Sequence, residues 1–184
     1  MPEGPSGVVL REGAGKSDAA RSFSPLAGPG AHTLILGSMP GLASLHAGRY
    51  YAHPRNGFWP IMGALFQAGP ELDYSQRADR LIGSGIAVWD VLASCIRPGS
   101  LDSSIKADGL EANDFSAFLA MHPAIDRLFF NGQAAEGLFR RHVIPRLAHL
   151  PVAMTVLPST SPAYASLTLM EKLQRWTVVL PGQG

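Results

Sequence analysis

The fold is decided by residues 34–59, LILGSMPGLASLHAGRYYAHPRNGFW. This stretch opens with a short apolar run that stops at Gly37, which predicts a buried strand running into an irregular loop. Gly37 and Gly41 carry no Cβ, so the turn between them lets backbone N–H groups come close to a ligand. Ligands of open α/β sheets bind at the carboxyl ends of the strands, which is where this loop lies.

The second half of the stretch is crowded with aromatic and polar side chains. Two Tyr, one His, one Asn and one Trp fall within residues 50–59, an unusual content for a solvent-exposed loop. Phe58 and Trp59 open a helical pattern and are interpreted as core anchors. Tyr51 and Asn56 are instead interpreted as ligand contacts.

Length and composition predict one domain. The chain has 184 residues, enough for a single sizeable core. Residues 1–30 are rich in Gly, Ser, Pro and Ala, so we predict a flexible arm there, with a pinning point near residues 23–26 and dispensable up to residue 21, and an ordered domain over residues 31–184. The chain has no apolar run of membrane-spanning length, no secretion signal and a lone Cys95. We therefore expect a soluble, cytoplasmic monomer.

Strand patterns alternate with helical patterns along the domain. The predicted strands cover residues 33–37, 86–92, 127–131 and 152–157. The predicted helices cover residues 57–68, 75–82, 113–121, 133–143 and 168–179. This alternation predicts an α/β fold, a three-layer α/β/α sandwich around a central four-stranded, mainly parallel sheet.

Polar loops follow the predicted strands at one edge of the sheet. They are residues 37–56, 131–132 and 159–163, and residues 97–106 are expected to join them. Asp90 interrupts an apolar run and is placed at a strand end, because an unpaired carboxylate is costly to bury. Amides, hydroxyls and aromatic rings at one edge suit a flat polar heterocycle, such as a nucleobase extruded from DNA.

Several other chemistries are excluded by missing patterns. The six histidines are dispersed and no pair has metal-ligand spacing beside a third ligand, so no metal is predicted. A single cysteine cannot hold an iron–sulfur cluster. Ser38 lacks the Gly-x-Ser-x-Gly elbow of a serine nucleophile, and no complete phosphate-binding Gly-rich motif is present. A net charge of +1 neither requires nor excludes nucleic acid.

Residues 34–59 resemble the first signature of the uracil-DNA glycosylase superfamily, most of all that of its hypoxanthine-DNA (deoxyinosine) glycosylase branch. The segments at residues 85–105, 128–132 and 157–163 (GIAVWDVLASCIRPGSLDSSI, LFFNG and LPSTSPA) resemble later signatures in the same order, over about residues 22–180. The resemblance implies the α/β/α fold and a monofunctional, cofactor-free DNA glycosylase of base excision repair. Its substrate would be double-stranded or single-stranded DNA carrying a deaminated base, with hypoxanthine favoured and uracil still open.

The resemblance also implies a base-binding set. Tyr51 would stack on the flipped base and Asn131 would read its edge. The remaining base contacts would come from the turn formed by Gly37, Ser38 and Met39.

The catalytic residues depart from the uracil-directed branches. Those branches commonly carry Asn or Asp, which orients the attacking water, where this chain has Met39. The resemblance passes this role to Asn56, whose amide is too weak a base to take a proton and would only position the water. Asp90 is either a structural carboxylate or a catalytic base.

DNA contacts are expected around the pocket. His53 is interpreted as a loop pin rather than a catalytic acid, and Arg97 as a phosphate contact or a surface ion pair. The loop expected to press on the DNA backbone contains Ser159, Ser161, Pro162 and Ala163.

Three alternative functions remain open at this point. Met39 supports a module that binds damaged DNA or a nucleobase without chemistry. A small-molecule hydrolase using Asp90 or Asp102 would bind no DNA. The mismatch-specific uracil/thymine branch is the next most similar, and hypoxanthine and uracil present the same carbonyl beside a ring N–H.

Overall fold

The computed structural model describes residues 19–148 and 152–182. Its main sheet has four parallel strands, β2 Thr33–Gly37, β3 Ile86–Asp90, β6 Arg127–Asn131 and β7 Ala153–Leu157. Their order in the sheet is β3-β2-β6-β7. Strands β2 and β3 are buried along their whole length, as expected when both faces of a parallel sheet are covered. The predicted α/β fold with a four-stranded parallel sheet is confirmed.

Six α-helices accompany the sheet within the described residues. They are α1 Leu42–Ala47, α2 Phe58–Phe66, α3 Tyr74–Gly83, α4 Phe115–Met121, α5 Gln133–His142 and α6 Leu169–Trp176. The sequence pattern predicts all of them except α1. Helix α1 is missed because its six residues are too few to show a helical period. Helix α6 begins with a capping box between Thr168 and Glu171. No helix in the described ranges has the length and apolar content to span a membrane.

A small antiparallel sheet lies beside the main one, and the sequence patterns missed it. It contains β1 Ala19–Arg21, β4 Leu92–Ile96 and β5 Glu111–Ala112, in the order β1-β4-β5. Strand β4 follows β3 after a single residue, Val91. The predicted strand over 86–92 therefore covers β3 and only the first residue of β4. A three-residue strand such as β1 is too short to show an alternating pattern.

Residues 19–30 are ordered, so the predicted flexible arm is wrong there, although the pinning point expected near residues 23–26 is present. Residues 1–18 lie outside the described residues. Strand β1 pairs with β4, and the backbone of Leu26 pairs with that of Val88. Phe23 packs edge-on against Tyr50, with ring centroids 5.3 Å apart. Residues 19–30 therefore belong to the folded domain.

Aromatic rings fill the space between the sheet and the helices. The largest side chains that are fully buried are Trp176, Phe58, Phe115, Phe118, Phe130 and Phe139. Phe58 is the predicted core anchor at the start of α2, and Trp59 is also buried. This rigid core holds the carboxyl ends of β2, β3 and β6 side by side.

Candidate active site

A pocket of about 160 Å³ opens at the carboxyl edge of the main sheet. Strands β3, β2 and β6 end there at Asp90, Gly37 and Asn131, which all line it. The volume is below the roughly 300–1,000 Å³ of clefts for drug-sized ligands, so the pocket suits one small planar group. Its other lining residues are Ser38 to Ser44, Tyr50, Tyr51, His53, Asn56, Ser100, Asp102 and Ser159 to Pro162.

The pocket floor is formed by Gly37, the Tyr51 hydroxyl and the Asp90 carboxyl. A Cβ at Gly37 would lie 2.6 Å from Asp90 Oδ1 and 3.2 Å from the Tyr51 hydroxyl. The first distance is shorter than real Cβ contacts, so any side chain there would displace the carboxyl. Glycine therefore lets two polar groups converge over the end of β2.

Tyr51 lines the pocket with one ring face backed by Phe58. The two rings are stacked, with centroids 3.9 Å apart and planes 19° apart. Its φ of 54° is in the left-handed region, which costs a non-glycine residue about 1 kcal/mol or more. The hydroxyl is buried and has no hydrogen-bond partner in the described part of the chain, although the Asn131 amide lies nearby. Burial and the Asp90 charge raise the pKa of this phenol well above its ordinary value, so it stays a neutral donor.

Asp90 is buried, at 3% exposure, and reaches the floor from the end of β3. Its Oδ2 accepts a hydrogen bond from the Ser22 hydroxyl at 2.9 Å. Its Oδ1, the atom next to Gly37, has no partner within residues 19–148 and 152–182. Burial, helped by the charge of Asp102, raises the pKa of Asp90 to about 7, against the opposing effects of Ser22 and Arg97.

Asn131 is placed at the pocket, but its amide already has partners. Its Nδ2 donates to the Thr160 hydroxyl at 2.9 Å, and its Oδ1 accepts from the Thr160 backbone N–H at 2.8 Å. One N–H and one lone pair remain for a ligand. The amide therefore ties β6 to the following loop and has little freedom to read a base edge on its own.

Asn56 lies in the pocket wall with its amide held in one orientation. Its Oδ1 accepts from the Phe58 backbone N–H at 2.9 Å, at the start of α2. Within the described residues its Nδ2 has no partner. His53 accepts a hydrogen bond from the Arg55 backbone N–H at 3.1 Å, which matches the interpretation of a loop pin.

Arg97 does not reach solvent, so the predicted phosphate contact is wrong. The predicted ion pair does form, with Asp102 Oδ1 at 3.8 Å, but the arginine side of it is buried. The residue is 4% exposed. Its guanidinium donates to the backbone carbonyls of Met39, Pro40 and Gly99. Such an arrangement fixes the shape of the turn after β2, and DNA phosphates cannot approach the buried group.

The turn is also held by the loop at residues 97–106, which was expected at this edge of the sheet and lines the pocket with Ser100 and Asp102. Ser38 donates its hydroxyl to Asp102 Oδ1 at 2.6 Å, and the Leu42 backbone N–H donates to the Ser100 hydroxyl at 2.9 Å. Burial is the main cause that raises the pKa of Asp102 above its ordinary value. Met39 is buried at 6% exposure and lines the pocket with apolar surface, which cannot hold a water molecule.

Residues 158–164 form the loop wall of the pocket. The bonds between Asn131 and Thr160 hold this loop, and two further donors bind its carbonyls. The Gly57 backbone N–H donates to the Thr160 carbonyl at 2.9 Å, and Trp176 Nε1 donates to the Pro158 carbonyl at 3.0 Å. Lys172 Nζ donates to the Tyr164 carbonyl at 2.7 Å. Of the predicted DNA-contacting residues, Ser159, Ser161 and Pro162 line the pocket, while Ala163 is exposed just outside it.

Metal chemistry has no candidate ligand set in the described residues, where no three His, Cys, Asp or Glu side chains are grouped. The site instead combines a stacked aromatic ring, an oriented amide and two pocket carboxyls. Such groups have the chemistry to stack on a planar heterocycle and to hydrogen-bond a water molecule.

Comparisons with known proteins identify the class. No protein-family model matches the chain. A solution NMR structure from Methanosarcina acetivorans, described as that of a candidate uracil DNA glycosylase, superposes with a TM-score of 0.69 and 29% identity. The match covers 88% of this chain and 98% of that one. The fold is therefore that of the uracil-DNA glycosylase superfamily.

Two curated relatives define the branch. A hypoxanthine DNA glycosylase from Methanosarcina acetivorans is 34% identical over 144 residues, covering 78% of this chain and 87% of the relative. Another hypoxanthine DNA glycosylase, from Methanosarcina barkeri, is 34% identical over 114 residues, covering 61% of this chain and 71% of the relative. The chain belongs to the hypoxanthine DNA glycosylase family of the uracil-DNA glycosylase superfamily. It is a DNA glycosylase, a hydrolase of N-glycosidic bonds.

Proposed function

We propose that this glycosylase excises hypoxanthine from DNA as the first step of base excision repair. The activity of the two named relatives supports the substrate. The observation that carries the proposal is the pocket floor, where Tyr51 and Asp90 present polar atoms without protein partners in the described residues. A deaminated purine brings a carbonyl and a ring N–H to such a floor.

Binding begins with extrusion of the nucleotide from the helix. The flipped base stacks on the Tyr51 ring, which Phe58 holds rigid from behind. Aromatic stacking contributes roughly 1–3 kcal/mol per base. The same surface accepts a uracil ring, so stacking alone does not separate purines from pyrimidines.

Hydrolysis then follows with oxocarbenium character at the sugar. Asn56 positions the attacking water, since its amide is fixed by the Phe58 N–H and faces the pocket. The departing base carries negative charge, which neutral donors such as the Tyr51 hydroxyl stabilise more in the transition state than in the ground state.

DNA contacts come from the loop wall and from His53. With a net charge of +1, the chain relies on backbone N–H groups and on hydroxyls such as those of Ser159 and Ser161. Pro162 and Ala163 present a rigid edge that fills the space left by the flipped base. We also propose that the protein acts as a monomer in the cytoplasm. One chain builds the whole pocket, and light scattering of the purified protein tests the monomer.

The test uses matched duplexes with one deoxyinosine, one deoxyuridine or one normal base. The expected result is alkali-labile strand breakage and released hypoxanthine with the deoxyinosine duplex. A shifted band without an abasic site would instead identify a binding module. Excision of uracil but not of hypoxanthine would place the chain's activity with the mismatch-specific uracil enzymes.

A further inference from the structure

The amino-terminal segment reaches the pocket floor, although its composition gave no sign of function. Ser22 directly follows β1, and its backbone N–H donates to the Ala93 carbonyl at 2.9 Å. Its hydroxyl donates to Asp90 Oδ2 at 2.9 Å. The residue is partly buried and is placed by the pairing of β1 with β4.

This hydrogen bond orients the Asp90 carboxyl. With Oδ2 held by Ser22, Oδ1 points towards Gly37, where the absence of a Cβ leaves room for it. Oδ1 is then a fixed acceptor beside the Tyr51 hydroxyl, a fixed donor. Asn131, the other polar side chain at the strand ends, is engaged by Thr160.

We propose that Ser22 is a positioning residue of the active site, which fixes Asp90 so that its free oxygen accepts the ring N–H of a lactam base. The proposal rests on hypoxanthine as the substrate. Hypoxanthine carries this N–H, whereas adenine presents a lone pair at the same ring position. A fixed carboxylate oxygen attracts the first and repels the second, which makes Asp90 a specificity-determining residue.

The ionisation of Asp90 gives the proposal a distinctive signature. The titratable and charged groups coupled to it are Asp102, Arg97, Tyr50, Tyr51 and Tyr74. The Ser22 hydrogen bond stabilises the carboxylate and so lowers the pKa of Asp90 against the larger effect of burial. Removing the hydroxyl therefore raises the pKa, and less of the accepting form exists at neutral pH.

The experiment measures single-turnover excision from a deoxyinosine duplex by Ser22→Ala, Ser22→Thr and Ser24→Ala. Ser24 is the matched control, because it lies two residues away with an exposed hydroxyl that makes no hydrogen bond to any described residue. Ser22→Ala is expected to lose about 10-fold in rate at pH 7, the scale of misplacing one oriented group. Ser22→Thr, which keeps a hydroxyl, and Ser24→Ala are expected to stay near the parent rate.

The pH profile separates positioning from a merely structural role. The parent rate is expected to rise with an apparent pKa near 7, the value for Asp90. In Ser22→Ala this rise moves to higher pH, so its deficit shrinks between about pH 6 and 8.5. Binding to a duplex with a tetrahydrofuran abasic analogue, which has no base to read, is expected to be unchanged.

Two results would overturn the inference while leaving the proposed function intact. One is a Ser22→Ala rate equal to that of Ser24→Ala. The other is a deficit that is constant with pH and accompanied by weaker binding of the abasic analogue. A parent protein that releases no hypoxanthine at all would refute the proposed function instead. Asp90→Asn is the second variant, and a parent-like excision rate and pH profile for it would remove Asp90 from base reading.

Discussion

The loop wall and the pocket floor are built in opposite ways. In the loop wall, the carbonyls of Pro158, Thr160 and Tyr164 all accept hydrogen bonds from other parts of the protein. On the floor, the Tyr51 hydroxyl and Asp90 Oδ1 have no partner among the described residues. These carbonyls of the loop wall have protein hydrogen-bond partners without a ligand, whereas the two polar atoms of the floor have none among the described residues.

This difference assigns different tasks to the two regions. A buried polar group without a partner costs roughly 1–3 kcal/mol, and such costs are typical of functional sites. The Tyr51 hydroxyl, the buried floor atom without a partner among the described residues, gains one when a base binds, so changes on the floor are expected to alter excision. Changes in the loop wall, which only presents a fixed shape, are expected to alter DNA affinity.

The largest effect is expected for Asn56→Ala. Loss of the amide removes the water-positioning group and should slow single-turnover excision by ~10²-fold or more. Because Oδ1 also accepts the Phe58 backbone N–H in the first turn of α2, the variant should lose about 1 kcal/mol of stability. DNA affinity, measured by fluorescence anisotropy, should change little. An unchanged excision rate would mean that water is positioned elsewhere.

A smaller effect is expected for Lys172→Met in support of the loop wall. Without its ammonium group the Ser161 and Tyr164 carbonyls lose their donor, and the loop becomes less fixed. DNA binding should weaken about 10-fold, while excision at saturating enzyme stays near the parent value. Arg141→Met removes one positive charge from the exposed last turn of α5 and serves as the control. Equal binding by the two variants would contradict the role of the wall.

Two truncated chains test whether β1 contributes to the stability of the fold while residues 1–18 do not. A chain that starts at Ser22 loses the pairing of β1 with β4, so its melting temperature should fall by about 4 °C, roughly 1–2 kcal/mol. A chain that starts at Ala19 keeps that pairing, and we expect it to melt with the full chain. If both truncated chains melted like the full one, the earlier prediction that residues 1–21 are dispensable would stand after all.

The smallest effect concerns the stability cost of the floor. The pKa of Asp90 rises from 3.8 to about 7 on folding, so the folded protein binds more protons between these values. Its free energy of unfolding therefore falls as pH rises through this window and stays low above it. Asp90→Asn should melt higher than the parent at pH 8, by about 2–4 °C, with a smaller difference at pH 5. A parent that is more stable than the variant at pH 8 would show that the ionised Asp90 carboxyl does not destabilise the folded protein.

The sheet and the site edge could be predicted because their signals are local. The apolar run Leu34-Ile35-Leu36 ends in a glycine, and the bounds predicted for β2 and β6 are those observed. Tyr51 and Asn56 stand in the loop after β2, and Asn131 stands at the end of β6. The pattern and the family resemblance both mark these positions. Strand ends of a parallel sheet meet at one edge, so these residues had to come together.

The remaining parts depend on contacts between distant positions, which carry no local pattern. Ser22 and Asp90 are 68 residues apart, and two of the three carbonyls that accept from Arg97 are 57 and 58 residues away. A polar side chain gives no sign in the sequence of whether its partner is a backbone carbonyl or DNA. The phosphate contact predicted for Arg97 is therefore wrong, and the bonds of Asn131 to Thr160 restrict its predicted role in reading the base edge.

The most direct test of hypoxanthine excision compares two duplexes that differ in one base. Single-turnover rates are measured side by side on deoxyinosine and deoxyuridine in otherwise identical DNA. The account predicts that hypoxanthine leaves at least ~10-fold faster, which is about 1.4 kcal/mol of differential transition-state binding. A uracil rate equal to or above the hypoxanthine rate would contradict it.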